Sequence, residues 1–430
     1  MSQRLRILLV VYGPIAERMS APEIRGWEMA KVLARHHDVT VAAPGELHDG
    51  RDGIRMVSAD RRTLLAEARR HDALIVPRVP PYLFAGLADS RTLIVADLYN
   101  PFEEEHAELT ASRAIRREIS LTRVANRMQL RNADVLLCAV EPQRERLLAA
   151  LDALGPRAAG DRRPPVEVVA FGLPDDPLPS DLRPMRAHFP QIGADDTVVL
   201  WWGNVWRWFD AATALRAFAR LAADRPGLRL VITDGRHPRR DWPVLDGGAE
   251  ARALAADMGL LGERVFFLDD WVPQEERHHY LLEADVGLTL ARGTAETVVA
   301  ARGRYMDYVW AGLPCVLGAG DVLADRFADA GFASTVAAGD LDGAVAALGR
   351  LVDDPGERAR RRAASRPLAD DFRWTATVQP LLRALEQAAA ERPAHLGRRA
   401  ALGRDLGEYY ARKALLAATP GRPEPEPAAA

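Results

Sequence analysis

Asp307 stands five residues before Gly312 in the run Arg302-Gly303-Arg304-Tyr305-Met306-Asp307-Tyr308-Val309-Trp310-Ala311-Gly312-Leu313-Pro314. A carboxylate can accept hydrogen bonds from ribose hydroxyls, as acidic residues do in other nucleotide-binding sheets. A guanidinium can grip a phosphate through two parallel, charge-assisted contacts. Arg302 and Arg304 sit where a helix would begin, and the N–H groups there already favour a diphosphate. Gly312 can take the left-handed conformation that ends a helix, and Pro314 prevents its continuation. One face of that helix should therefore look into a cleft. A second group follows an apolar run at Trp201-Trp202-Gly203-Asn204-Val205-Trp206-Arg207-Trp208-Phe209-Asp210. Gly203 and Asn204 bring backbone close to a phosphate, and Arg207 is the strong cation of the loop. Asp234, Gly235 and Arg236 follow another apolar run, and Trp271-Val272 a further one. In the first half of the chain, Glu23 and Arg25 lie in the stretch after the first apolar run. Asp97 and Tyr99 end a later run.

The elements that must position these residues are short apolar strands separated by amphipathic helices. Arg6–Tyr12, Val39–Ala43, Ala73–Val76, Leu93–Leu98, Asp134–Val140 and Val166–Ala170 read as strands, with a helix over Pro22–Leu33. Thr197–Trp202, Leu228–Thr233, Val265–Leu268, Val286–Leu290 and Cys315–Leu317 form a second set, with helices over Ala211–Ala222 and Glu250–Met258. Continuous apolar strands alternating with helices predict parallel sheets covered on both faces. The five prolines of Gly172–Pro190 cannot belong to a central strand and mark a break. The reading is α/β, with two doubly wound units in series. The N-terminal domain covers 1–178, a Pro-rich linker 179–196 and the C-terminal domain 197–370. A C-terminal helix covers 371–390 and packs back on the first domain. The Arg/Ala-rich tail 391–430, ending Pro-Glu-Pro-Glu-Pro-Ala-Ala-Ala, is expected to be partly disordered.

The 430 residues carry a net charge of −3, which gives no electrostatic reason to expect nucleic-acid binding. Lys31 and Lys413 are the only lysines, so any phosphate must be met by Arg or backbone N–H. Cys138 and Cys315 lie in apolar runs and read as reduced core thiols. No Cys/His grouping has metal-ligand spacing. No apolar segment precedes the first strand or approaches the ~18 residues that would span a bilayer, which predicts a cytoplasmic protein. Arginines 113, 116, 117, 123, 127 and 131 give one helix a basic face, a surface for weak peripheral contact with anionic lipid at the inner face of the membrane. Glu103-Glu104-Glu105 just upstream offsets that charge, and a solvated face is the competing reading.

From Val198 to Asp321 these motifs, in this order after strands, resemble the donor half of the retaining glycosyltransferases of family four. Those enzymes have the GT-B architecture, two Rossmann-like domains facing a cleft. The resemblance implies transfer of a hexose from a nucleoside-diphosphate sugar to an acceptor hydroxyl, with retention at the anomeric centre. It implies that Asp307 holds ribose, that Arg207 with Arg302 or Arg304 holds the diphosphate, and that main-chain groups at Trp271 and Val272 read the base. It puts Glu23, Arg25, Asp97 and Tyr99 on the acceptor side, with a carbohydrate, lipid-linked or small-molecule acceptor. The family pairs two glutamates eight positions apart, and this sequence departs from that. Val299 occupies the first position, and the nearest upstream acid is Glu296, eleven before Asp307. No cofactor is expected, and arginine is expected to replace a divalent ion, since Asp340-Leu341-Asp342 reads as a helix cap. A nucleotide-sugar epimerase of the same fold and a binding protein without turnover stay open as alternatives.

Overall fold

Each set of apolar runs becomes one parallel sheet in a computed structural model. It describes residues 4–418 apart from 47–50, 109–112, 156–162, 176, 178, 239–246 and 392–397. The N-terminal sheet contains β1 (Arg6–Val10), β2 (Asp38–Ala43), β3 (Arg55–Ser58), β4 (Ala73–Val76), β5 (Leu93–Asp97), β6 (Val135–Cys138) and β7 (Val166–Val168), in the order β3-β2-β1-β4-β5-β6-β7. The C-terminal sheet contains β8 (Thr197–Trp201), β9 (Leu228–Thr233), β10 (Val265–Leu268), β11 (Val286–Thr289), β12 (Cys315–Gly318) and β13 (Ala333–Val336), in the order β10-β9-β8-β11-β12-β13. Ile7, Leu8, Leu9 and Val10 are at most 1% exposed, as are Val198, Val199, Leu200 and Trp201. Fully burying one such side chain stabilises by roughly 1.5–3 kcal/mol, which fixes these strands without help from propensity. β1 has β2 and β4 as neighbours, and β8 has β9 and β11. The strand order reverses at these two places, and the crevice at the carboxyl ends of the strands there is where ligands bind in such sheets.

The break between the domains differs from the expected linker. Pro184–His188 forms a short helix whose first amides, on Met185 and Arg186, donate to Glu283 at 2.7 and 3.0 Å. Arg186 also pairs with Glu283 at 3.0 Å, so this stretch is tied to the C-terminal domain. The chain crosses at Leu173 and returns at Arg373. These residues form a parallel bridge, with Leu173 N–H donating to the Phe372 carbonyl at 2.6 Å and Trp374 N–H to the Leu173 carbonyl at 3.0 Å. A Cβ on Gly172 would stand 2.3 Å from the Trp374 ring, so the crossing is closely packed.

After the crossing, the Gln379–Glu391 helix packs beneath β6 and β7 of the first domain. The tail departs from its expected disorder. Arg398–Ala418 is a helix lying along Arg113–Asn132, with Leu402 and Asp405 buried. Asp405 pairs with Arg131 and accepts from Asn132 at 3.2 Å, and Glu408 pairs with Arg127. Arg123 pairs with Glu103 at 3.1 Å. Three arginines of the expected lipid-facing surface are therefore engaged by carboxylates of this chain. Residues 419–430 lie outside those described. Among the described residues no helix is long and apolar enough to cross a membrane.

Candidate functional site

A cleft of about 320 Å³ opens between the carboxyl ends of the two sheets. Its floor is built where β8 ends. Gly203 takes φ +85°, a left-handed conformation that glycine adopts without strain, and its N–H donates to Thr233 Oγ1 at 2.5 Å. Asn204 Nδ2 donates to the Gly235 carbonyl at 2.8 Å, and Asp234 accepts from Val205 N–H at 3.1 Å. Gly203, Asn204 and Gly235 line the cleft, whereas Asp234 braces the loop from behind. A Cβ on Gly235 would lie 2.5 Å from the Trp271 amide nitrogen, which explains the glycine there. Arg236 is exposed outside the cleft, and His237 takes its place in the lining, edge-on to the Trp271 ring at 5.2 Å.

The Gly303–Trp310 helix brings Arg304 and Asp307 to the same cleft. Gly312 closes it at φ +60°, as expected. Arg304 donates to the Asn204 carbonyl at 2.7 Å, and its guanidinium stacks 4.1 Å from the centre of the Phe209 ring. No carboxylate lies within 4 Å of it among the described residues. Burial pushes its pKa down to about 10. Asp307 accepts from the Trp202 indole at 2.9 Å and pairs with Arg277 at 3.2 Å. Burial raises its pKa, and the charge of Arg277 opposes that rise. Arg277, from the Arg277–Glu283 helix, also stacks 4.4 Å from the Trp310 ring. The sequence reading missed Arg277 because it sits thirty residues from Asp307 and in no motif.

Arg302 does not join Arg304. Its side chain is 4% exposed and paired with Glu296 at 2.5 Å and with Asp321, which caps the Val322–Asp329 helix. Two carboxylates hold this cation, so it is committed to the frame of the loop and not to a phosphate. Glu296 is fixed by the same pair, and burial pushes its carboxyl up to about 7. Arg207 stands apart from these residues. Trp206 and Trp208 turn into the cleft and stack at 5.9 Å, so the residue between them turns outward. Arg207 is 37% exposed and lies 3.7 Å from Glu250 on the Gly248–Asp257 helix.

On the N-terminal side, Arg25 and Asp97 are spent on each other. Their bidentate pair spans 2.8 and 3.0 Å, both side chains are at most 2% exposed, and Arg25 also donates to the Val169 carbonyl at 2.8 Å. Neither lines this cleft, although Asp97 lines the cavity beside it. Glu23 folds back to accept from Ser20 N–H at 3.1 Å, the carboxylate half of a capping box, while still lining the cleft. Tyr99 lines the cleft beneath Arg25, which lies 4.6 Å from its ring. Glu105 faces Glu296 from the opposite domain, and burial with that neighbouring charge pushes its carboxyl up to about 8.

Two sets of contacts hold the domains together here. Trp271 Nε1 donates to the Met19 carbonyl at 3.1 Å, Arg18 Nε to the Trp271 carbonyl at 2.9 Å, and Gln274 N–H to the Glu17 carbonyl at 2.8 Å. Trp271 and Val272 line the cleft, with the Trp271 carbonyl already engaged by Arg18. Gln143 Nε2 bridges the carbonyls of Tyr99 and Val299, both at 2.7 Å. Asp340 accepts from Gly343 N–H at 2.9 Å and caps the Leu341–Asp353 helix, as read from the sequence.

No family model and no curated protein sequence matches the chain. Solved structures do. The lipopolysaccharide-biosynthesis glycosyltransferase WaaG is 17% identical, with a TM-score of 0.61 over 88% of this chain and 98% of its own. Anabaena Alr3699/HepE, solved with UDP-glucose, is 16% identical, with a TM-score of 0.63 over 89% of this chain and 100% of its own. The α,α-trehalose 6-phosphate synthase of Burkholderia multivorans is 15% identical, with a TM-score of 0.64 over 91% of this chain and 99% of its own. These likenesses span nearly the whole of each chain, and the protein has the two-domain GT-B fold of these glycosyltransferases.

Proposed function

We propose that the protein is a glycosyltransferase that moves a hexose from a nucleoside-diphosphate sugar to an acceptor hydroxyl. The observation that carries this is Arg304, a part-buried cation in the cleft held by carbonyls instead of a carboxylate. A buried charge without a counter-charge is costly, and an anionic ligand relieves that cost. A diphosphate fits beside Gly203 and Asn204, where a left-handed glycine lets backbone approach closely. Asp307, oriented by Trp202 and Arg277, accepts in this reading from ribose hydroxyls, and the Gly235 and Trp271-Val272 turn receives the base. Alr3699/HepE, which shares this fold, was solved with UDP-glucose, and a trehalose-6-phosphate enzyme from E. coli with UDP-2-fluoro glucose.

In the reaction, departure of the diphosphate concentrates negative charge on its outer oxygens, and Arg304 stabilises that charge from a fixed position. The stacked Trp206-Trp208 pair and the closed interdomain contacts exclude water, which limits hydrolysis of the donor. Glu296, held by Arg302, lies at the sugar end of the cleft, and Glu23, Tyr99 and Glu105 face it from the acceptor side. The reading includes retention of configuration and no requirement for a metal ion. The deciding experiment follows nucleotide release from a panel of nucleotide sugars, with and without acceptors and with EDTA. Release that rises with acceptor and survives EDTA supports the proposal. Donor interconversion without acceptor would instead mark an epimerase, and saturable binding without turnover a binding protein. Transfer abolished by EDTA and restored by Mg²⁺ or Mn²⁺ would refute metal independence.

A further inference from the structure

A second cavity of about 860 Å³ continues from the acceptor side of the cleft into the N-terminal domain. The two share Pro22, Glu23, Tyr99, Asn100 and Pro101. Val79, Pro80, Leu121, Ala125, Leu130 and Leu147 give it an apolar wall, and Arg78, Asp97, Glu103, Arg123 and Gln143 stand among its polar lining residues. Its size suits a small organic molecule (pockets of roughly 300–1,000 Å³).

The apolar wall is built rigidly. Gln129, fully buried, brackets Val79 from both sides. Its Oε1 accepts from Val79 N–H at 2.8 Å and its Nε2 donates to the Val79 carbonyl at 3.0 Å. Arg78, just before, is held at φ +51°, strained for a non-glycine residue, and its carbonyl accepts from the Tyr12 hydroxyl at 3.0 Å. Its guanidinium lies over the Phe102 ring at 4.1 Å. Three arginines of its lining are paired with carboxylates: Arg123 with Glu103, Arg127 with Glu408, Arg146 with Glu104. The remaining wall comes from the end of the chain. Tyr409, on the Arg398–Ala418 helix, lines the cavity.

We infer that this cavity holds the body of the acceptor, and that the acceptor carries its reactive hydroxyl on an apolar body such as an alkyl or aryl group. The C-terminal helix is then part of the acceptor site, and Tyr409 a determinant of acceptor choice. This inference rests on the glycosyltransferase reading, which assigns the neighbouring cleft to the donor. Apolar contact area favours an amphiphile over a free sugar.

The test compares glucose with n-octyl β-D-glucopyranoside, which offers the same ring hydroxyls with an alkyl chain attached. Both are titrated into the full-length protein below the micelle concentration, alongside UDP, and both are offered as acceptors with a donor that the protein turns over. The expected result is octyl glucoside binding at least tenfold tighter than glucose and a KM lower by a similar factor. Tyr409→Ser should erase most of that difference, and Ala125→Phe should do so by filling the cavity. UDP affinity in the same variants reports an intact fold. Equal affinity for the two glucosides in a protein that binds UDP would overturn the inference and leave the donor reading standing. Octyl glucoside binding in a protein that binds no nucleotide in the panel would do the reverse.

Discussion

Replacing Arg304 by Ala tests the central claim about the cleft. The guanidinium lies against the Gly203-Asn204 backbone, with Nη2 3.0 Å from where a Gly203 Cβ would stand. It supplies one fixed positive charge at the point where the diphosphate would leave. Removing one such preorganised contact costs about 2.7–4 kcal/mol in the transition state, or roughly 10²–10³ in kcat. The loss of a single exposed charge contact would be far smaller, about 0.2–1 kcal/mol. The assay is nucleotide release with saturating acceptor, with UDP affinity measured in parallel. Arg304→Ala should lower kcat/KM by roughly 10²-fold or more, weaken UDP binding, and leave Tm within a few degrees, since no ion pair is broken. Arg304→Lys should recover only part, because an ammonium cannot make the planar bidentate contact. Activity within threefold of wild type in a folded Arg304→Ala protein would refute the assignment of this residue to the diphosphate.

The other predictions contrast neighbouring residues. Arg302→Ala leaves Glu296 and Asp321 buried without their shared partner, a cost of about 3–5 kcal/mol, so Tm should drop by roughly 10 °C in calorimetry; an unchanged Tm would show that the pairs are not formed. Arg207→Ala should change kcat/KM by less than about threefold, because the side chain turns to Glu250 at the surface. Asp307→Asn should weaken UDP binding about tenfold with little change in kcat, and an Arg277→Ala double-mutant cycle should show coupling between the two. Glu105 makes a pH prediction. Its folded pKa, pushed up to about 8, exceeds that of an unfolded glutamate near 4.3. The unfolded chain therefore releases this proton first. The stabilisation is complete below about pH 4 and declines as pH rises to about 8. Glu105→Gln should flatten Tm against pH between those limits; parallel curves for the two proteins would contradict it.

Much of the frame was legible because buried parallel strands write themselves as unbroken apolar runs, from Ile7–Val10 to Val286–Thr289. β3 and β13 escaped that reading. They are edge strands, and Arg55-Met56-Val57-Ser58 and Ala333-Ser334-Thr335-Val336 carry too little apolar character to stand out. The helix end at Gly312 and Pro314 was legible because local geometry dictates it. The partners of the charges were not. Arg302 and Arg304 look alike two residues apart, yet one meets Asp321 and Glu296 while the other meets backbone carbonyls and the Phe209 ring, which depends on where a later strand ends. Arg25 and Asp97 are 72 residues apart and become one ion pair. The direction of Arg207 was not legible because a motif names a residue without fixing the side of the loop it faces. The tail was misjudged from its Arg/Ala-rich composition, although Leu402, Asp405 and Tyr409 are spaced to dress one face of a helix.

The paired crossing at Leu173 and Arg373 bears on how the molecule is made. The chain leaves the first domain and re-enters it at one point, so the second domain is an insert whose two ends touch. Everything the insert needs has been translated by about residue 373. The first domain must wait longer. The Gln379–Glu391 helix that lies under β6 and β7, and the Arg398–Ala418 helix that walls its cavity, leave the ribosome after the insert. Synthesis proceeds at about 5–20 residues per second, and a domain completes only when its last segment is free. The half of the protein begun first is thus finished last, and it spends the interval with an uncovered apolar sheet face.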